Sequence, residues 1–100
     1  MKQINDILSE EEEKHLNKKD ELLSAIAQLP KGSLFIRTRN DKRYCYLVYR
    51  EQGKIVSQYV GTAEKENEIR EQIELRKKLE TQLKEINKEL KRIHKMKLVK

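Results

Sequence analysis

The sequence predicts an α+β fold: a three-stranded antiparallel sheet flanked by an N-terminal helix and a long C-terminal helix with coiled-coil character. Three observations carry the prediction. All four Tyr, the only Phe, the only Cys and two of the three Gly fall between Ser33 and Gly61. That stretch alternates apolar and polar residues between turn signals, the pattern of short strands. On either side the apolar residues recur at helical spacing, and no Pro or Gly follows Gly61, so nothing stops the final segment from being one helix. One hundred residues are read as a single domain, 1–100, with a modest core.

The first helix is placed over 9–29. Ser9 with Glu12 forms a capping box, and Glu10 to Glu13 set negative charge at the positive end of the helix dipole. Its apolar positions, Leu16, Leu22, Leu23, Ile26 and Leu29, thicken toward the C-terminal half, so that half is expected to pack. Pro30 and Gly32 end the helix.

The sheet is placed over 33–60. In RNDK, a two-residue turn at Asn40-Asp41 sets Leu34 opposite Leu47, Phe35 opposite Tyr46 and Ile36 opposite Cys45. In REQGK, a three-residue connection with Gly53 as a left-handed bulge sets Arg50 opposite Lys54, Tyr49 opposite Ile55 and Cys45 opposite Tyr59. One face then holds Leu34, Ile36, Cys45, Leu47, Tyr49, Ile55 and Tyr59, apolar enough to pack on a helix. The other holds Phe35, Arg37, Arg39, Lys42, Tyr44, Tyr46, Val48, Arg50, Lys54, Val56 and Gln58, rings interleaved with cations and no acid. A slip of strand one would bury two unpaired guanidinium groups, which costs far more than exposing one Phe.

The last helix is placed over 63–97, with Thr62 as its N-cap. Leu79, Leu83, Ile86, Leu90 and Ile93 are spaced four, three, four and three, a heptad seam. Two partners fit that seam: the first helix of the same chain, or another helix in a homodimer or a protein partner.

Charge is uneven. Residues 1–29 hold four Lys against seven acids, residues 30–62 seven basic residues against two acids, and residues 63–100 twelve against eight, for net −3, +5 and +4. The last ten residues carry Lys91, Arg92, Lys95, Lys97 and Lys100 and no acid. Such a balance points to polyanionic partners. A single Cys excludes an internal disulfide, and no apolar run has the length of a signal core or a membrane span, so a cytoplasmic, membrane-free protein is expected. Cys45 falls on the apolar sheet face, where a thiol acts as a small hydrophobe. Enzyme chemistry is not expected. There is no phosphate loop, no dinucleotide fingerprint, no paired Cys and no HExxH. His15 and His94 lack a second ligand nearby in sequence, so neither metal nor cofactor is expected.

At YCYLVYREQGKIVSQYVG, preceded by LPKGSLFIR and followed by a charged helix, the chain resembles a short domain of unknown function found in bacterial, archaeal and phage proteins. The matching residues are Leu29, Gly32, Ser33, Tyr44, Tyr46, Leu47, Tyr49, Arg50, Gly53, Lys54, Ser57, Tyr59 and Gly61, and the likeness runs from residue 29 into the nineties. Asn40-Asp41-Lys42 departs from that domain's usual Asn-Gly-Lys turn. The resemblance implies the fold and no activity. A looser likeness links the Tyr-rich hairpin to mobile-element transposase regions. The layout of three strands and a helix is also similar to the arm-type DNA-binding domain of tyrosine recombinases.

The functional expectation is nucleic-acid binding, DNA or RNA, by the aromatic and basic sheet face. Arg37, Arg39, Lys42, Arg50 and Lys54 would meet phosphates, and Phe35, Tyr44 and Tyr46 would stack on bases or pack on a groove wall. Alternatives are a covered face in which the same rings are core, a coiled-coil adaptor acting through the seam, and a phage-type inhibitor of a host nucleoprotein.

Overall fold

The structure, a computed structural model, describes residues 3–98; Lys100 of the basic C-terminal run lies outside them. Helix α1 (Ile4–Ala27) is followed by strands β1 (Ser33–Arg39), β2 (Lys42–Glu51) and β3 (Lys54–Thr62), a 3-10 turn (Ala63–Lys65) and helix α2 (Glu66–Leu98). The strands form one antiparallel sheet in the order β1-β2-β3, the α+β architecture the sequence predicts. The chain divides into two compact units: α1 with α2 from Lys78 onward, and residues Gln28–Lys77.

In the sheet unit, the first hairpin has the expected register, with Leu34 opposite Leu47, Phe35 opposite Tyr46 and Ile36 opposite Cys45. Asn40 and Asp41 both sit at positive φ, 53° and 64°, the requirement of a type I′ turn. The second hairpin differs from expectation. Gln52 and Gly53 adopt φ of 51° and 79°, so the turn has two residues and pairs Glu51 with Lys54, Arg50 with Ile55 and Tyr49 with Val56. From Lys54 to Tyr59 the strand is therefore one residue out of the expected register, and each of those side chains changes face. Ile55 and Tyr59, expected inward, turn to the open face; Lys54, Val56 and Gln58, expected outward, turn to the packed one. A bulge then intervenes: Tyr46 pairs with Tyr59 but Cys45 with Gly61, leaving Val60 without a partner of its own.

The packed face buries Cys45 and Leu47 against Ile69 and Ile73 from the first turns of α2, with Leu34, Ile36, Tyr49 and Val60 around them. Each fully buried Leu or Ile contributes about 1.5–3 kcal/mol, which makes this cluster the main support of the small sheet. The Cys45 thiol is fully buried and lies 3.6 Å from the Thr62 carbonyl, the structural place expected for it. At the rim, Glu66 accepts from Arg43 and Arg70, each at 3.1 Å, tying β2 to α2. Arg76 donates to the Leu29 carbonyl at 2.8 Å, supplying a partner to a backbone oxygen beyond the end of α1. Gly32 sits at φ 103°, and a Cβ there would lie 2.4 Å from the Val48 carbonyl oxygen. Only glycine allows the chain to enter β1 so close to β2.

In the helical unit, α1 begins at Ile4, five residues before the expected start. Its first turn is closed by Asp6 and Ile7 amides donating to the Gln3 carbonyl at 3.0 and 3.2 Å. The expected Ser9 capping box is not formed: Ser9 lies inside the helix, whose inward stripe already begins at Leu8. The inward stripe of α1 is Leu8, Glu12, His15, Lys19, Leu22 and Ile26, each buried or half-buried. The expected packing residues Leu16 and Leu23 are instead exposed. From α2 the seam residues Leu79, Leu83, Ile86 and Leu90 are half-buried and Ile93 is buried. Lys97 donates to Glu12 at 3.4 Å, while Lys19 lies beside Asn87 and Leu90. Moving up α1 thus moves down α2, so the two stripes run antiparallel.

Candidate functional site

The site is assembled by register alone. On the unpacked side of the sheet, β1 presents Phe35, Arg37 and Arg39, β2 presents Lys42, Tyr44, Tyr46, Val48 and Arg50, and β3 presents Ile55, Ser57 and Tyr59, as the pairing dictates. Two rows matter. Phe35, Tyr46 and Tyr59 are successive cross-strand partners, a line of three rings across the full width of the sheet. One row toward the first turn, Arg37 pairs with Tyr44, and beyond it Arg39 pairs with Lys42.

The rings support one another. Tyr59 packs against Tyr46 at 5.6 Å between centroids in an edge arrangement, and against Tyr44 at 6.2 Å and 53°. Both are geometries favoured by the ring quadrupole. The Arg37 guanidinium lies over Tyr46, 5.6 Å from its centroid, a cation–π contact that holds the charge at the surface. Phe35 and Tyr59 nevertheless remain 51% and 52% exposed. Between Arg37, Arg39, Tyr44, Tyr46 and Tyr59 lies a cleft of about 340 Å³.

No acid stands on these strands' outer face, and among the described residues no carboxylate pairs with Arg37, Arg39, Lys42 or Arg50. The structure thus brings together Phe35, Arg37, Arg39, Lys42, Tyr44 and Tyr46, with Arg50 at the far end. It separates Lys54, which the register turns toward the packed side. Tyr59 is the residue sequence reasoning missed. The three-residue turn expected at Glu51-Gln52-Gly53 puts it inward, and Ile55-Ser57-Tyr59 and Val56-Gln58-Val60 alternate equally well, so the strand's own pattern does not correct that placement. The second predicted set, Leu79, Leu83, Ile86, Leu90 and Ile93, lies on the stripe of α2 within the helical unit. Among the described residues no three His, Cys, Asp or Glu side chains converge, and no helix is long and apolar enough to cross a membrane.

Fold and face together define a small α+β domain with one sheet surface packed and the other open, aromatic and cationic. Residues 3–71 match the family model described as Domain of unknown function (DUF6788), and the chain belongs to that family. The match takes in α1, the whole sheet and the start of α2, so the first helix is part of the family's unit. No curated protein and no solved structure matches the chain.

Proposed function

We propose that the protein is a small nucleic-acid-binding module, of the kind mobile elements encode, acting through the open face of its sheet. The observation that carries this reading is the combination on one face of four cations that no carboxylate among the described residues pairs, Arg37, Arg39, Lys42 and Arg50, with a cross-strand line of rings whose two outer members are exposed. Rings alone would suit a protein partner, and cations alone a solvated surface. Interleaved, they match a polymer whose backbone is anionic and whose bases are flat and apolar. Burial of the rings would supply affinity that salt does not screen, while the cations release counterions from the phosphates.

The test is binding of labelled oligonucleotides at low salt by the wild type and by Arg37→Ala/Arg39→Ala/Arg50→Ala. All three side chains are exposed, so the variant is expected to keep its fold, checked by circular dichroism. Affinity should fall by about two orders of magnitude or more. Lys54→Ala, on the other side of the sheet, should cost less than Arg37→Ala. A folded triple variant that binds as tightly as the wild type sinks the reading.

A further inference from the structure

The polymer itself can be narrowed, taking the proposed function as its basis. We infer that the sheet face takes unpaired nucleotides rather than a duplex, with bases stacked on the Phe35–Tyr46–Tyr59 line and phosphates held toward Arg37, Arg39 and Lys42.

The first ground is the chemistry of the middle of the face. A duplex groove offers donors and acceptors on base edges, read mainly by Arg, Lys, Asn and Gln. The central positions here are Phe35, Tyr46, Val48, Ile55 and Tyr59, and no amide side chain stands on this face. Apolar rings set against that groove floor would strip water from its donors and acceptors without offering them a partner. Against the flat face of an unpaired base no such cost arises, because every base has a π-face on which a ring can stack.

Ring accessibility is the second ground. The two outer members of the line are each about half exposed, Phe35 at 51% and Tyr59 at 52%, although a small domain gains by covering such rings. The middle ring, Tyr46, carries the Arg37 guanidinium over its face. A guanidinium group is itself a surface on which an unpaired base can stack. The cleft bounded by Arg37, Arg39, Tyr44, Tyr46 and Tyr59, about 340 Å³, is at the small end of ligand-site volumes of roughly 300–1,000 Å³. That is a place for one flipped-out unit, not for a double helix.

Spacing is the third. Successive rows on one face of a strand are about 7 Å apart, roughly double the 3.4 Å rise of a stacked strand. Bases reaching successive rows must belong to a strand pulled out of its stack. The line of rings and the Arg37–Tyr44 row beyond it would then each receive one base. The Arg39–Lys42 pair would flank the backbone between them.

The chain has four Tyr and no Trp, and three of the four Tyr stand on this face. Its intrinsic fluorescence therefore reports stacking directly. The experiment titrates the full chain with a twelve-nucleotide thymidine oligomer, a twelve-nucleotide uridine oligomer and a twelve-base-pair mixed duplex at one salt concentration, following tyrosine emission and anisotropy of the labelled nucleic acid. The expected result is at least tenfold tighter binding of the single strands, with quenching of tyrosine emission. Phe35→Ala and Tyr59→Ala should each weaken single-strand binding by about tenfold or more and duplex binding by less, so that the preference for single strands narrows; Tyr59→Phe should bind single strands as the wild type does, since stacking does not need the hydroxyl. Both positions are exposed, so the variants are expected to fold. Duplex binding equal to or tighter than single-strand binding, or no loss in the folded Phe35→Ala and Tyr59→Ala variants, overturns this inference and leaves the broader reading standing. Failure to bind any of the three overturns both and reassigns the face to an acidic protein surface.

Discussion

Three side chains held at positive φ decide how this sheet is built. Asn40 and Asp41 stand at 53° and 64°, and Gln52 at 51°. Asn and Asp tolerate the left-handed region because their short polar side chains bond locally; Gln, with a longer side chain, does not share that advantage. This is why the first hairpin is legible in the sequence and the second is not. Asn-Asp names a two-residue turn, whereas Glu-Gln-Gly reads most naturally as a three-residue loop with glycine alone left-handed. The residues that follow could not correct the reading, since both phases of β3 are equally apolar. Strain at the turns gives a prediction. Asp41→Gly and Gln52→Gly should each stabilise the protein, by about 1 kcal/mol, or roughly 4–8 °C in Tm for a chain this size. Thermal unfolding followed by circular dichroism checks it, and a fall in Tm for Gln52→Gly would mean that Gln52 is not strained as the backbone indicates.

Between elements, the telling feature is a mismatch inside the helical unit. The α2 stripe is apolar throughout its heptads, Leu79, Leu83, Ile86, Leu90 and Ile93, and was readable as a seam for that reason. The α1 stripe that belongs with it is apolar only at its ends, Leu8, Leu22 and Ile26, with Glu12, His15 and Lys19 between them. Polar residues at inward positions hide a heptad in the sequence, so the apolar pattern of α1 points to Leu16 and Leu23, which are exposed. The middle of the helical unit carries an open groove: His15 borders it with Ile86, and its ring Nδ1 lies 2.7 Å from the Glu11 carbonyl within its own helix. His15→Leu replaces a half-buried imidazole by a side chain suited to Ile86 and should stabilise the protein by about 1 kcal/mol, measured as an increased urea midpoint. No increase would show that the stripe's polar centre is already well solvated.

For the molecule as a whole, the question is whether its net charge of +6 acts in bulk or from one face. The two alternatives differ in salt dependence. Bulk attraction draws on every basic residue, including Lys91 and Lys95 near the end of α2, both exposed. Face-specific binding counts only the cations that meet phosphates. For a single strand, log K falls with log salt at a slope near −0.7 per neutralised phosphate, so the four cations Arg37, Arg39, Lys42 and Arg50 set an expected slope of about −3. Removing one of them, by Arg39→Gln or Lys42→Gln, should reduce the slope by about 0.7. Lys91→Gln and Lys95→Gln change the net charge by the same amount and should leave it unaltered. Affinities for the thymidine oligomer between about 50 and 200 mM salt resolve the difference. If the α2 substitutions lower the slope as much as those on the sheet, charge is acting without regard to position, and the arrangement of rings and guanidinium groups on the open face has no part in recognition.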